Sequence, residues 1–216
     1  MIMKGKKILA SVLIFAGITM MAVPFFWRLQ GEKETDKNIR IFEQTLEVER
    51  SEEQEKGKKK QTSLSEEEKT LFKEGDVIGI IEIKSLGIRY PVMEGTEKTQ
   101  LNAGIGHIPG TAGIGGKGNC VLCGHNGSRY GTFFTTLNRV KKGDNVIVLD
   151  RQGKKHSYEV EKTWVVDPYD NSIKEQGNEE TLTLFTCAQR GTMRFVVRCS
   201  PVVSGKETQK SSGSCK

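Results

Sequence analysis

Apolar and polar positions divide the chain into three regimes. From Ile8 to Trp27 the run is uncharged and largely apolar; from Gly31 to Glu74 charged residues dominate; from Asp76 onward short β-branched and apolar stretches alternate with glycine-rich breaks. The first regime is long enough to cross ~30 Å of hydrocarbon at ~1.5 Å per helical residue, and Lys4, Lys6 and Lys7 precede it. A cleaved signal peptide has a shorter apolar core and a small-x-small site. Ala22-Val-Pro24 is a poor match to such a site. The pattern therefore predicts an uncleaved membrane anchor within residues 1–30. Charge alone leaves its orientation open, because Arg28, Lys33, Lys37 and Arg40 follow the run within the window that counts.

The second regime reads as a spacer over residues 31–74. Ile39, Phe42 and Leu46 fall at helical spacing and predict the start of a short amphipathic helix. The glutamate-rich stretch from Ser51 and the run Lys58 to Lys60 leave almost nothing to bury, so a flexible linker is expected.

The third regime reads as strands. Val77 to Ile83 and Ile88 to Met93 flank a turn at Gly87, with Pro91 suited to an edge or bulge. Further strands are predicted at Cys120 to Gly124, Val146 to Asp150, His156 to Val166, Thr181 to Cys187 and Arg194 to Arg198. Phe133, Leu137 and Val140 share one face of a predicted helix over 132–140 and are expected to pack in the core. Many short strands with few helices indicate an all-β barrel or sandwich over 75–204. The lysine-rich residues 205–216 read as a disordered tail.

Composition changes this picture little. The 216 residues hold 24 glycines against 5 prolines, which suits a turn-rich β domain. The net charge of +6 would suit anionic lipid heads or wall polymers, but charge runs such as those of the spacer and tail are usually solvated. No nucleic-acid-binding motif is present, so no nucleic-acid partner is expected.

The candidate chemistry lies in Thr181-Leu-Thr-Leu-Phe-Thr-Cys187 and the strand that follows it. The short Ala188 to Met193 connection allows Cys187 and Arg194 to lie side by side at one sheet end. A permanent cation favours thiolate, the form that attacks a carbonyl. Three histidines are available as a base: His107, His125 and His156. His125 ends a strand at the edge of a loop, while His156 lies in a charged stretch and is expected to be solvated. Cys120-Val-Leu-Cys123 invites a redox or zinc reading. Residues three apart on a strand point to opposite faces about 10 Å apart, beyond the reach of a disulfide, and no second such pair completes a zinc set. Cys120, Cys123 and Cys199 read as buried strand residues, with Cys123 the rival nucleophile because it shares a face with His125. Cys215 reads as a loose thiol in the tail.

Three blocks in order carry a family resemblance: Leu101-Asn-Ala-Gly-Ile-Gly-His107-Ile-Pro-Gly-Thr111, Gly118-Asn-Cys-Val-Leu-Cys-Gly-His125, and Thr-Leu-Phe-Thr-Cys187 followed by Arg194-Phe-Val-Val. Together they resemble the sortases, membrane-anchored cysteine transpeptidases of Gram-positive cell surfaces. The resemblance runs from about Asp76 to Val203 and implies an eight-stranded β-barrel. It implies Cys187 as nucleophile, His125 as acid and base, and Arg194 as oxyanion donor, with Thr186, Arg190, His107 and Asn126 toward the substrate. It further implies a Leu-Pro-x-Thr-Gly-like sorting signal cut between Thr and Gly. The acceptor it implies is an amino group of the cell-wall peptide or of its lipid-linked precursor. Neither metal nor other cofactor is implied. The single-pass protein would expose its catalytic domain outside the cell. No Asp-Pro-aromatic lid motif lies in the 31–74 spacer and no second hydrophobic span near the C-terminus is present, which disfavours the pilin-polymerising class. The His107 block and missing lid resemble class D most, while Asn126 in place of arginine leaves class B open. A hydrolytic cysteine peptidase using the same pair, and a non-catalytic tethered binding module, are the competing functions.

Overall fold

The computed structural model describes residues 2–56, 75–128 and 131–202. The expectations for residues 57–74, for the 205–216 tail with Cys215, and for Arg129 and Tyr130 lie outside them.

Among the described residues, ten strands follow a long N-terminal helix. Helix α1 is Ile2–Lys56; β1 is Val77–Ile83, β2 Ile88–Glu94, then the short helix α2, Lys98–Ala103, β3 Ile105–His107 and β4 Gly118–Gly124. After these come β5 Asn126–Ser128, β6 Gly131–Phe133, β7 Asn145–Asp150, β8 Lys155–Val166, β9 Glu180–Ala188 and β10 Met193–Pro201. Eight of them close into a barrel in the order β1-β2-β3-β4-β9-β10-β8-β7, and β5 and β6 form a separate hairpin. Closure leaves no open sheet edge. Two neighbour pairs are parallel, β2 with β3 and β4 with β9. Pro91 sits one residue before the β3 ladder begins at Val92 opposite Ile105, so its missing N–H breaks nothing there.

Alternation along the strands sends one row of side chains inward. Ile81, Ile83, Val92, Leu122, Val146, Val148, Leu182, Leu184 and Val197 fill the barrel, all fully buried. The reversed row of β4, β9 and β10 faces outward and carries Cys123, Cys187 and Arg194.

Two expectations are corrected here. Residues 132–140 are not an α-helix: β6 ends at Phe133, which has φ 41°, and a single 3-10 turn covers Leu137–Arg139. Phe133, Phe134, Leu137 and Val140 are nonetheless buried in the core. Apolar spacing fixed which residues go in, but a strand end plus a tight turn delivers them as well as a helix does.

The second correction concerns the flexible linker. Its described part, 31–56, is helical and continuous with the preceding segment. Ile39 and Phe42 are buried against Ile80, with Leu46, Val77 and Leu149 packed around them. Glu43 pairs with Arg89 at 2.5 Å. The amphipathic stripe thus finds a partner on the outside of β1 and β2, and burial of two large side chains offsets the cost of ordering. Upstream, Val12 to Val23 and Phe26 present exposed apolar side chains such as Phe15 and Met21. Among the described residues no helix is long and apolar enough to cross a membrane, so they lend the expected span no support.

If α1 belongs to the folded unit, Phe42→Ala should cost about 3 kcal/mol and lower the thermal midpoint of the full-length chain. An unchanged midpoint would show that the helix is a mere appendage.

Candidate active site

Strand register assembles the candidate groups. On β9 and β10, Cys187 pairs directly with Arg194. On β4 and β9, which run parallel, Gly124 pairs with Thr186. His125 follows Gly124 and Cys187 follows Thr186, so imidazole and thiol emerge at the same level of neighbouring strands. Both are half-buried.

Two hydrogen bonds pin this junction. Thr186 Oγ1 donates to the Gly124 carbonyl at 2.7 Å. Asn126 Nδ2 donates to the Cys187 carbonyl at 2.6 Å. Thr186 is buried on the inward row, so it braces the junction and does not line the groove. Asn126 is exposed but spends its amide on the backbone of Cys187.

The electrostatics separate the two candidate thiols. Burial pushes the Cys123 thiol up to about 12, and neighbouring Cys187 adds to the rise, while Lys174 and Arg194 pull the other way without prevailing. Cys123 therefore stays protonated and inert. Cys120 and Cys199 are likewise raised to about 12, first by burial. Burial also lowers His125 from its ordinary 6.5, with the Phe133 ring edge-on to it at 6.0 Å between centroids. The neutral imidazole is thus the majority form at neutral pH.

Arg194 is tethered. One terminal nitrogen donates to the Gly191 and Met193 carbonyls, both at 3.0 Å. That uses one of its three nitrogens and fixes the guanidinium at the strand's first turn. The hairpin is short because Gln189, Arg190 and Gly191 all adopt positive φ, at 48°, 59° and 96°. Arg190 projects from this reversal and is exposed.

The other histidines are not brought here. His107 is buried on β3, with Nδ1 2.9 Å from Glu94 Oε2 and Nε2 3.0 Å from the Ala112 carbonyl. The register that pairs Glu94 with His107 creates this contact, and it makes His107 an internal brace, not a substrate contact. His156 is buried as well, not solvated: its Nε2 lies 2.7 Å from Asp150 Oδ2. Gly115, at φ +71°, makes room for it, since a Cβ there would lie 1.9 Å from the ring.

Asn119 is a structural clamp, away from His125 and Cys187 along the same ladder, that pattern reading missed. Its Nδ2 donates to the Ile173 and Glu175 carbonyls at 2.9 and 3.2 Å, and its Oδ1 accepts from Thr183 Oγ1 at 2.6 Å. It clamps the connection between β8 and β9 onto the outward face. The available signal was a carboxamide inside the otherwise apolar Gly118–Gly124 strand, since such a group is buried only when satisfied.

Comparison with known proteins points to one family across the barrel. A family model described as "Sortase domain" matches residues 81–202, more than half of the chain. Sortase A of Bacillus anthracis is 28% identical over 195 residues, covering 88% of this chain and 91% of the relative. Sortase D of Bacillus subtilis (strain 168) is 29% identical over 184 residues, covering 84% and 89%. Among solved structures, Clostridium perfringens sortase C with the C-terminal cell wall sorting motif superposes with a TM-score of 0.58 at 27% identity, covering 79% of this chain and 89% of that one.

Removing the Asn126 brace should loosen the nucleophile's backbone. In Asn126→Ala, amide exchange at Cys187 and Ala188 should speed up about fivefold, the equivalent of ~1 kcal/mol, while Leu182 and Leu184 keep wild-type rates. Equal rates at both ends would mean that the bond does not hold the site.

Proposed function

Because this chain belongs to the sortase family of transpeptidases, we propose that it anchors secreted proteins to the cell wall through a thioester on Cys187. The observation that supports this most is the paired register, Cys187 opposite Arg194 and Gly124 opposite Thr186. The substrate is a Leu-Pro-x-Thr-Gly-like sorting signal, cut between Thr and Gly. Sortase C of Clostridium perfringens, solved with a sorting motif, favours this substrate class. The likeness to sortase D of Bacillus subtilis favours class D.

Each group then has one task. The Cys187 thiolate adds to the threonine carbonyl carbon, and the oxyanion that forms takes hydrogen bonds from Arg194. The carbon–nitrogen bond to glycine breaks as His125 imidazolium gives its proton to the leaving amine. An amino group of the wall peptide or its lipid-linked precursor then attacks the thioester. His125 accepts its proton and Cys187 leaves as thiolate. The uncharged Ile8 to Trp27 run, with exposed apolar side chains such as Phe15, Ile18 and Met21, serves as the membrane anchor, and residues 75–204 lie outside the cell.

Mass spectrometry tests the chemistry. Full-length protein incubated with a Leu-Pro-x-Thr-Gly peptide should gain the acyl mass on Cys187, and triglycine should convert it to ligated product. Cys187→Ala should give neither. An adduct on Cys123 would overturn the assignment, and cleavage without ligation would make the enzyme a hydrolytic peptidase.

The pH profile tests His125. The working pair carries one proton between sulfur and ring, and as pH falls through the imidazole's midpoint a second proton binds and the thiolate is no longer available. Burial lowers that midpoint, so the acid limb of kcat/KM should lie below 6.5. A limb at or above that value would contradict the buried setting.

A further inference from the structure

The ladders divide the outward face of β4, β9 and β10 into levels, because alternate residues of a strand share a face. Cys187 and Arg194 hold the uppermost level, with His125 just beyond Gly124. Two residues down stand Cys123, Phe185 and Val196, and two further down Val121, Thr183 and Arg198. The connection from β8 to β9 covers the lower part of this face. Val121, Thr183 and Val196 are fully buried, and Asn119 ties the Ile173 and Glu175 carbonyls down. Cover ends at Phe185, which is only half-buried. The catalytic end therefore opens onto a step one level deep, floored by Phe185.

A 3-10 turn, Asn171–Lys174, forms the lower rim of that step. It rests on β4 with Ile173 buried, while its last residue, Lys174, is exposed. Burial dominates the Cys123 thiol, but the charges of Lys174 and Arg194 both reach it. The ammonium thus stands close to the second level, on the side of the step opposite the catalytic groups. Its Nζ donates to Asn171 Oδ1 at 3.1 Å, and it has no carboxylate partner among the described residues. The acidic residues nearest to it in the chain are engaged elsewhere. Asp167 and Asp170 accept from the Tyr169 and Ser172 N–H groups, both at 2.9 Å, and Glu175 lines a cavity beside Thr181 and Arg198, lower on the face. An uncompensated ammonium above a half-buried apolar floor suits a side chain with an aliphatic stem and a terminal carboxylate.

Reach identifies where such a side chain comes from. One level of the face is ~7 Å, two residues of a strand. The carbonyl under attack sits at Cys187, on the level above. The residue before the acylated threonine has its Cα ~3.8 Å from that of the threonine, and a glutamate side chain adds about 4 Å more, which spans one level. Aspartate is one methylene shorter and falls short of the rim.

We propose that Lys174 reads the variable position of the sorting signal, the residue before the threonine, and selects glutamate there. The assignment rests on the transpeptidase reading and narrows its substrate. Full-length protein would be assayed at low ionic strength with Leu-Pro-Glu-Thr-Gly, Leu-Pro-Gln-Thr-Gly and Leu-Pro-Lys-Thr-Gly peptides. The glutamate peptide should exceed its isosteric glutamine counterpart about fivefold in kcat/KM, the upper range for an exposed ion pair. The gap should lie in KM and close as salt is raised. In Lys174→Gln the ratio should fall to one, and in Lys174→Glu the lysine peptide should become the preferred substrate. Lys154→Gln, at the far end of β8 from the site, should keep the wild-type ratio, which separates a local contact from the overall charge of the protein. Calorimetric binding to Cys187→Ala reads the same ratios without turnover, so a failure of transpeptidation and a failure of the subsite are distinguishable. No glutamate preference in the wild type, a preference that survives Lys174→Gln, or an equal loss in Lys154→Gln would overturn the proposal.

Discussion

The parallel ladder between β4 and β9 is the constraint on which this site depends, because it alone brings together segments that the sequence keeps about sixty residues apart. A parallel pair advances both chains in one direction, so the residues that leave the two strands do so at one end of the barrel. Gly124 opposite Thr186 puts His125 beside Cys187. The antiparallel β9–β10 hairpin then adds Arg194 from the other side. A slip of one residue on β9 would turn Cys187 inward and Thr186 outward. The inward row of Leu182 and Leu184, both fully buried, resists that slip. Core packing therefore enforces the geometry of the site, and the bonds from Thr186 and Asn126 trim it.

Within that frame the same physical effect, loss of solvent, does different work on different groups. It raises Cys123 to about 12 and so silences the thiol that neighbours Cys187. It lowers His125, biasing the ring toward its neutral form. A poised imidazole beside a half-exposed thiol suits proton transfer in both directions, which a two-stage acyl transfer needs. Arg194 brings a guanidinium to the same end of the barrel, and its tether to the hairpin carbonyls holds that group beside Cys187.

Much of this was legible in the chain. The strands from β1, β2, β4 and β7 to β10 follow from runs of β-branched residues bounded by glycine, and Cys187, His125 and Arg194 stand out through residue type and order. What escaped was long-range. No local pattern announces that a lysine- and glutamate-rich helix will dock Ile39 and Phe42 on Ile80. His107 and His156 looked available because their partners, Glu94 and Asp150, become neighbours only through strand pairing. The helix predicted over 132–140 failed for a different reason: apolar spacing reports burial, and Phe133 with its positive φ reaches the core from a strand end. Asn119 was hidden because its partners lie 54 and more residues away.

The account stands on the imidazole of His125 and the sulfur of Cys187 sharing one groove. Ring resonances of His125 followed by NMR across the pH range test this directly in the wild type and in Cys187→Ala. Shared surroundings require the ring's midpoint to move when that sulfur is removed. A midpoint identical in both proteins would contradict the assembly of the site.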